Sequence, residues 1–159
     1  MLKKKIRLVS ITPKFFDLCS FDKELLQKGK ARPHLYILRL KYHGGIFEFA
    51  LPLRSNISKT IKEENFFSLP PNKKTRKNCH HGIHFEKMFP IKKEYKMKFE
   101  TSKTLFFTTI LEPFLEKNLK KIIIKAQEYL KNYEQGVKTS HSTNIDKIFI
   151  KLNIKLDKK

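Results

Sequence analysis

The sequence predicts a single α+β domain over residues 1–159, with a mostly antiparallel sheet and one long helix. Three observations predict it. Leu35 to Leu53 reads as a β-hairpin, because two runs rich in β-branched and aromatic residues flank Gly44-Gly45. From about Glu112 to Tyr133, Leu115, Leu119, Ile122, Ile123, Ala126, Tyr129, Leu130 and Tyr133 recur at helical spacing. No repeat and no linker divides the chain, and its length suits one core.

The elements follow in order. Lys5 to Ser10 alternates charged and apolar residues as a short strand does, and Thr12-Pro13 breaks it. Ser20 is placed to cap a short helix over Phe21 to Lys28, with Asp22 and Glu24 in its first turn and Gly29 at its end. In the hairpin, glycine tolerates the positive φ of a tight turn, and Pro52 is expected to end the second strand because it has no N–H for a ladder. Between Asn56 and Asn78 the hydrophobic pattern breaks up, and Pro70 to Lys77 reads as a loop. Gly82 to Ile91 returns to strand-like or buried character, and Met97 to Thr109 is a weaker strand signal. Pro113 suits the first turn of the long helix and Gly136 its stop. The tail, Asn144 to Leu156, fits either a helix capped at Thr143 or a strand, with helix preferred.

Composition narrows the partner. Lys+Arg number 35 against 15 Asp+Glu, a formal net charge of +20, and self-repulsion of that size points to a polyanion that offsets it. AT-rich coding explains some abundance of lysine but not the sign of the balance. Nucleic acid is therefore the leading partner and an anionic membrane the second. A hydrophobic fraction of 40%, with 14 Phe, is enough for a packed core and argues against disorder. The apolar stretch after Met1-Leu2-Lys3-Lys4-Lys5 is too short and too charged for a signal peptide or a membrane span. Cys19 and Cys79 form no disulfide framework, so both are expected as thiols in a cytoplasmic protein.

Three clusters could carry chemistry: Arg32-Pro33-His34 at the hairpin entry, Pro52-Leu53-Arg54-Ser55-Asn56 at its exit, and Asn78-Cys79-His80-His81-Gly82-Ile83-His84. A hairpin centred on Gly44-Gly45 pairs residues whose numbers sum to about 89, which places His34 opposite Ser55. Metal-free RNA cleavage uses the substrate's 2′-OH as nucleophile, a group to accept its proton, and cations to stabilise the phosphorane. His34, Arg54 and Ser55, with Lys59 nearby, supply those types; equally, they could be solvated strand ends and a turn. The third cluster invites zinc, but its spacing matches no recognised site and no second thiol pair is near, so no metal and no cofactor is expected. On a strand, His80 and His84 share a face and, with Arg76 and Lys77, could line an RNA groove, or could equally be satisfied core or turn histidines; His81 is a further candidate RNA contact. Lys73 and Lys74 extend that basic loop, and Tyr36 and Tyr42 are candidates for base stacking.

The order and spacing of three runs resemble the ToxN/AbiQ family of type III toxin–antitoxin endoribonucleases. These are Arg32 to Leu40, Phe49 to Ile57 and His81 to Ile91; Leu-Pro-Leu-Arg-Ser-Asn-Ile is closest to the TenpN-like branch. The resemblance implies a compact, Kid/MazF-like fold with a strongly twisted antiparallel sheet and packed helices. It also implies RNA cleavage without metal to a 2′,3′-cyclic phosphate, and inhibition by a repeated pseudoknot RNA that joins several toxin copies. The family's catalytic serine falls on Ser55, its neighbouring threonine on Arg54 and its hairpin-entry basic residue on His34. Its lysine two positions after the serine is Ile57 here, which leaves Lys59, Lys62 or Arg54 to that role. Arg32, Tyr36 and Lys62 join the loop lysines as expected RNA contacts. A non-catalytic RNA-binding protein is the alternative, and a peripheral membrane protein a weaker one, since no amphipathic basic helix with interfacial aromatics is evident.

Overall fold

The hairpin lies at the centre of the sheet. In the computed structural model, which describes residues 8–25, 35–98 and 105–156, strands β2 (Leu35–Tyr42) and β3 (Gly45–Ser58) pair antiparallel over the whole of β2. The turn between them is His43-Gly44, with φ of +46° and +81°. Two successive positive φ values match the right-handed twist of the flanking strands, as the mirror-image hairpin turns do. This corrects the expected register. With the turn one residue earlier than Gly44-Gly45, Leu35 lies against Pro52 rather than Arg54, and Tyr42 against Gly45.

Pro52 does not end β3, which runs on to Ser58. It is the last β3 residue paired with β2; from Leu53 onward the strand pairs instead with β5 (Cys79–His84). The missing N–H therefore falls at the margin of one ladder. β1 (Leu8–Ile11) pairs with β2, and β7 (Lys96–Lys98) with β1. β4 (Phe66–Ser68) pairs with β5, and the two-residue β6 (Phe89–Pro90) with β3. The result is a seven-stranded antiparallel sheet in the order β4-β5-β3-β2-β1-β7, with β6 on β3.

Side chains alternate across a strand, and β2 uses both faces. Tyr36, Leu38, Leu40 and Tyr42 enter one apolar cluster, with Phe49 and Leu51 of β3. Leu35 and Ile37 enter another, with Ala50. The first cluster is covered by α2 (Glu112–Lys117) and α3 (Leu119–Glu134) through Leu115, Ile122, Ala126, Tyr129, Leu130 and Tyr133. The second is covered by α1 (Pro13–Leu18) through Phe15, with Phe89 stacked on it at 4.8 Å. α4 (Ile145–Lys151) bridges the two, Ile145 and Phe149 on one side and Ile148 on the other. Tyr36 and Tyr42 are 3% and 1% exposed, so neither stacks on a base as expected. The Tyr42 hydroxyl donates to Asp146 at 2.6 Å instead.

The helical expectations need four corrections. The helix lies over Pro13–Leu18, and the described part of the expected Phe21 to Lys28 helix is turn. Asp22 accepts from Glu24 N at 3.0 Å, which closes a local turn, and from Asn144 N at 2.7 Å, which ties that turn to the N-cap of α4. The long helix is interrupted at Asn118, whose side-chain amide donates to Phe114 O at 2.9 Å, and a π-helical stretch, Phe107–Leu111, leads into α2. That stretch also replaces the strand expected toward Thr109. Finally, Asn144 rather than Thr143 caps α4, accepting from Lys147 N at 3.1 Å, while the buried Thr143 hydroxyl donates to Met88 O. The stop at Gly136 holds, with φ +89°.

Candidate functional site

The register of β3 against β5 breaks where the sequence placed its candidate serine. Arg54 pairs with Gly82 and Ile57 with His80, so Ser55 and Asn56 together oppose His81. Such a β-bulge bends the strand and re-aims side chains. Gly82 is required there. A Cβ on it would lie 2.7 Å from the Phe67 carbonyl oxygen, so β4 packs against β5 only because that position has no side chain.

The bulge holds the basic loop in place. Asn72 Nδ2 donates to Ser55 Oγ at 3.0 Å. Asn56 uses both ends of its amide, donating to Lys74 O at 3.0 Å and accepting from Arg76 N at 2.7 Å. Asn72 Oδ1 also accepts from Lys74 N at 2.8 Å, which closes the turn. Lys73, Lys74, Arg76 and Lys77 are thereby displayed, exposed, on a loop fastened to the bulge. The Ser55 hydroxyl, accepting from Asn72, keeps its own proton to donate.

The histidines of β5 have separate environments. His84 is 2% exposed: its Nδ1 lies 3.1 Å from Arg54 Nη1 and its Nε2 2.9 Å from Glu86 Oε1. A guanidinium only donates, so Nδ1 carries the lone pair and Nε2–H donates to Glu86. Burial holds the His84 pKa below 6.5, against the opposing pull of the Glu86 hydrogen bond and with help from Arg54. Glu86 sits below its usual carboxylate range: hydrogen bonds from His84 and Thr139, with the Lys87 charge, outweigh its burial. His81 donates from Nδ1 to Pro70 O at 2.6 Å, and burial lowers its pKa as well. Its Nε2 is then the basic nitrogen. His80 stacks on Phe66 at 5.2 Å. On the far side of Glu86 an open cleft of about 760 Å³ is lined by Lys62, Lys125, Tyr129 and Thr139 among others.

The sequence-predicted residues thus divide. Arg54, Ser55, Lys73, Lys74, Arg76, Lys77 and His81 gather around the bulge. Lys59 is exposed just past the end of β3. Lys62 belongs to the cleft, and Tyr36 to the core. His84 is enclosed rather than lining a groove, because both its ring nitrogens are engaged inside the protein. Arg32 and His34 lie outside the described residues. Sequence reasoning missed Asn72, Glu86 and Thr139. The His-x-Glu spacing of His84 and Glu86 was the one available signal, since Thr139 is 53 positions from its partner.

Two solved structures share this fold. One, of a bacterial antiviral system regulated by a processed non-coding RNA, matches 93% of this chain and 98% of its own, with a TM-score of 0.67 and 20% identity. The other concerns bacterial type III toxin–antitoxin systems and selective toxin inhibition by a non-coding RNA pseudoknot. It matches 92% of this chain and 95% of its own, with a TM-score of 0.67 and 15% identity. No protein-family model and no curated protein matches the sequence. Among the described residues, no helix is long and apolar enough to cross a membrane.

Proposed function

We propose that the chain is a toxin of a type III toxin–antitoxin system, acting as a metal-independent endoribonuclease and inhibited by a repeated pseudoknot RNA. The observation that carries this reading is the bulge, where Ser55 and Arg54 stand beside a lysine loop fastened to them by Asn56 and Asn72. The shared fold with structures whose regulator is a non-coding RNA supports it, as does the net charge of +20.

In this reading the loop lysines take the RNA backbone, a contact whose affinity falls steeply with salt. The 2′-OH of the nucleotide before the scissile bond loses its proton to a histidine and attacks the adjacent phosphorus. The bond from phosphorus to the 5′-oxygen breaks, that oxygen takes up a proton, and a 2′,3′-cyclic phosphate and a 5′-OH remain. Arg54 stabilises the charge gathering on the non-bridging oxygens, and the Ser55 hydroxyl donates to one of them. Proton exchange falls to His34, on the family resemblance, or to His81, whose Nε2 bears the ring's lone pair because Nδ1 donates to Pro70 O. The same basic surface would hold an inhibitory RNA that bridges several copies of the chain.

Incubating purified protein with RNA in excess chelator, beside Ser55→Ala, tests the assignment. Cleavage by the wild type and its collapse in the variant is the expected result. Undiminished cleavage by Ser55→Ala rules out the site, and salt-dependent binding without cleavage by the wild type favours a non-catalytic RNA-binding protein.

A further inference from the structure

Behind the bulge, a hydrogen-bonded line runs from Arg54 through His84 to Glu86, and the cleavage chemistry itself uses neither His84 nor Glu86. A histidine and a carboxylate, each 2% exposed, are expensive to remove from water, and apolar residues of similar volume commonly serve stability as well or better. The line also has one consistent proton assignment. Arg54 can only donate, so His84 accepts at Nδ1 and donates from Nε2 to a Glu86 carboxylate, whose second oxygen accepts from the Thr139 hydroxyl. Thr139 comes from the segment after α3, so the line is anchored on one side in the helical layer and ends on the other at β3.

We propose that His84 and Glu86 are positioning residues for Arg54: they hold the guanidinium at the bulge, where it meets the scissile phosphate. The proposal rests on the endoribonuclease reading above. The buried carboxylate fixes the imidazole tautomer, as carboxylates hydrogen-bonded to metal-ligating histidines do, and the fixed Nδ1 lone pair orients the guanidinium. The groups facing His84 are Arg54 from β3 and Glu86 and Lys87 from the turn after β5; Tyr129 of α3 lies within reach of Glu86's charge. Burial above all keeps the ring neutral, helped by the Arg54 and Lys87 charges and opposed by Glu86. A protonated ring has no lone pair for Arg54 and sets a second positive charge against it, so kcat falls as pH falls through the lowered His84 pKa.

Two substitutions separate positioning from bulk. His84→Leu removes the acceptor at similar volume, and His84→Asn puts an amide oxygen near the place of Nδ1 without a titrating group. The expected result for His84→Leu is a kcat lower by on the order of 10–100-fold with KM for RNA little changed, the scale seen when such supporting partners are lost. His84→Asn is expected to recover most of kcat and to lose the acid limb that His84 gives the wild type. Nitrogen-15 NMR of the wild-type imidazole gives a readout that needs no cleavage and no variant, and a proton on Nε2 with a bare Nδ1 is expected. A proton on Nδ1 overturns the proposal, as do an unchanged kcat in folded His84→Leu or an unchanged acid limb in His84→Asn. Should the wild type cleave no RNA at any pH, the endoribonuclease reading fails, and the positioning role fails with it even if the Nε2–H tautomer is found.

Discussion

The two halves of β3 are built on opposite principles. From Gly45 to Pro52 the strand pairs with β2 in unbroken register, and Phe49, Ala50 and Leu51 are fully buried. Phe49 there meets Tyr42 and Phe149 edge to face, at ring separations of 6.2 and 5.9 Å. From Leu53 to Ser58 the register breaks, and Arg54, Ser55 and Asn56 are half-buried and tied by side-chain hydrogen bonds to His84, Asn72 and the loop backbone. One strand therefore carries a rigid apolar anchor and, five residues on, a polar site held at fixed geometry by that anchor. Precision at a site comes from a rigid packed element together with the hydrogen bonds that lock the site's own side chains.

The difference can be broken from either side. Phe49→Ala, in the apolar half, is expected to cost about 3–5 kcal/mol by lost burial and a residual cavity, read by chemical denaturation. Its effect on RNA cleavage should follow the folded fraction only. Gly82→Ala strikes the seam between the halves, and the 2.7 Å approach to the Phe67 carbonyl has to be relieved by moving β4. A loss of roughly 1–3 kcal/mol follows from such overpacking, with cleavage falling further than stability because Arg54 pairs with Gly82. Asn56→Ala, in the polar half, frees the loop at two backbone positions and should cost about 1–2 kcal/mol. Its distinguishing mark is a raised KM for RNA, measured at fixed salt.

Acid separates the halves without mutation. His81 and His84 have folded pKa values below 6.5, so the unfolded chain binds more protons than the folded one just under that pH. Stability therefore rises with pH across the window between their lowered values and 6.5, and is lost as pH falls through it. The Glu86 contribution is present above 4.5 and goes at lower pH, as its depressed folded pKa is crossed. Thermal melting should decline in that order on acidification, and His84→Asn should flatten the upper part of the decline.

How much of this was legible in the sequence follows the same division. The hairpin and the stop at Gly136 were readable because they depend on local pattern and on glycine. The two-residue register error came from His43, a non-glycine residue at φ +46° that local rules rarely assign to a turn. The break at Asn118 and the turn in place of helix over residues 21–25 depend on where Asn118 and Asp22 find acceptors and donors; one donor to Asp22 is Asn144, 122 positions away. In the site, Ser55 and Arg54 were legible as residue types and through the family resemblance. The bulge was not, because an inserted residue is defined only by its partner strand. Asn56 and Asn72 act through contacts between separate segments, as Glu86 does with Thr139, which no spacing rule reports; only the short His84–Glu86 spacing left a trace.

The most direct measurement is of the products and the substrate requirement. An RNA carrying a single 2′-deoxy nucleotide on the 5′ side of its mapped cleavage site would be incubated with the protein in excess chelator, beside the unmodified RNA, and the fragment ends identified by mass spectrometry. The unmodified RNA is expected to give 2′,3′-cyclic phosphate and 5′-OH ends, and the substituted RNA to remain intact at that bond. Cleavage at the deoxy-substituted bond, or cleavage of the unmodified RNA only after a divalent metal is restored, would contradict attack by the substrate's own 2′-OH.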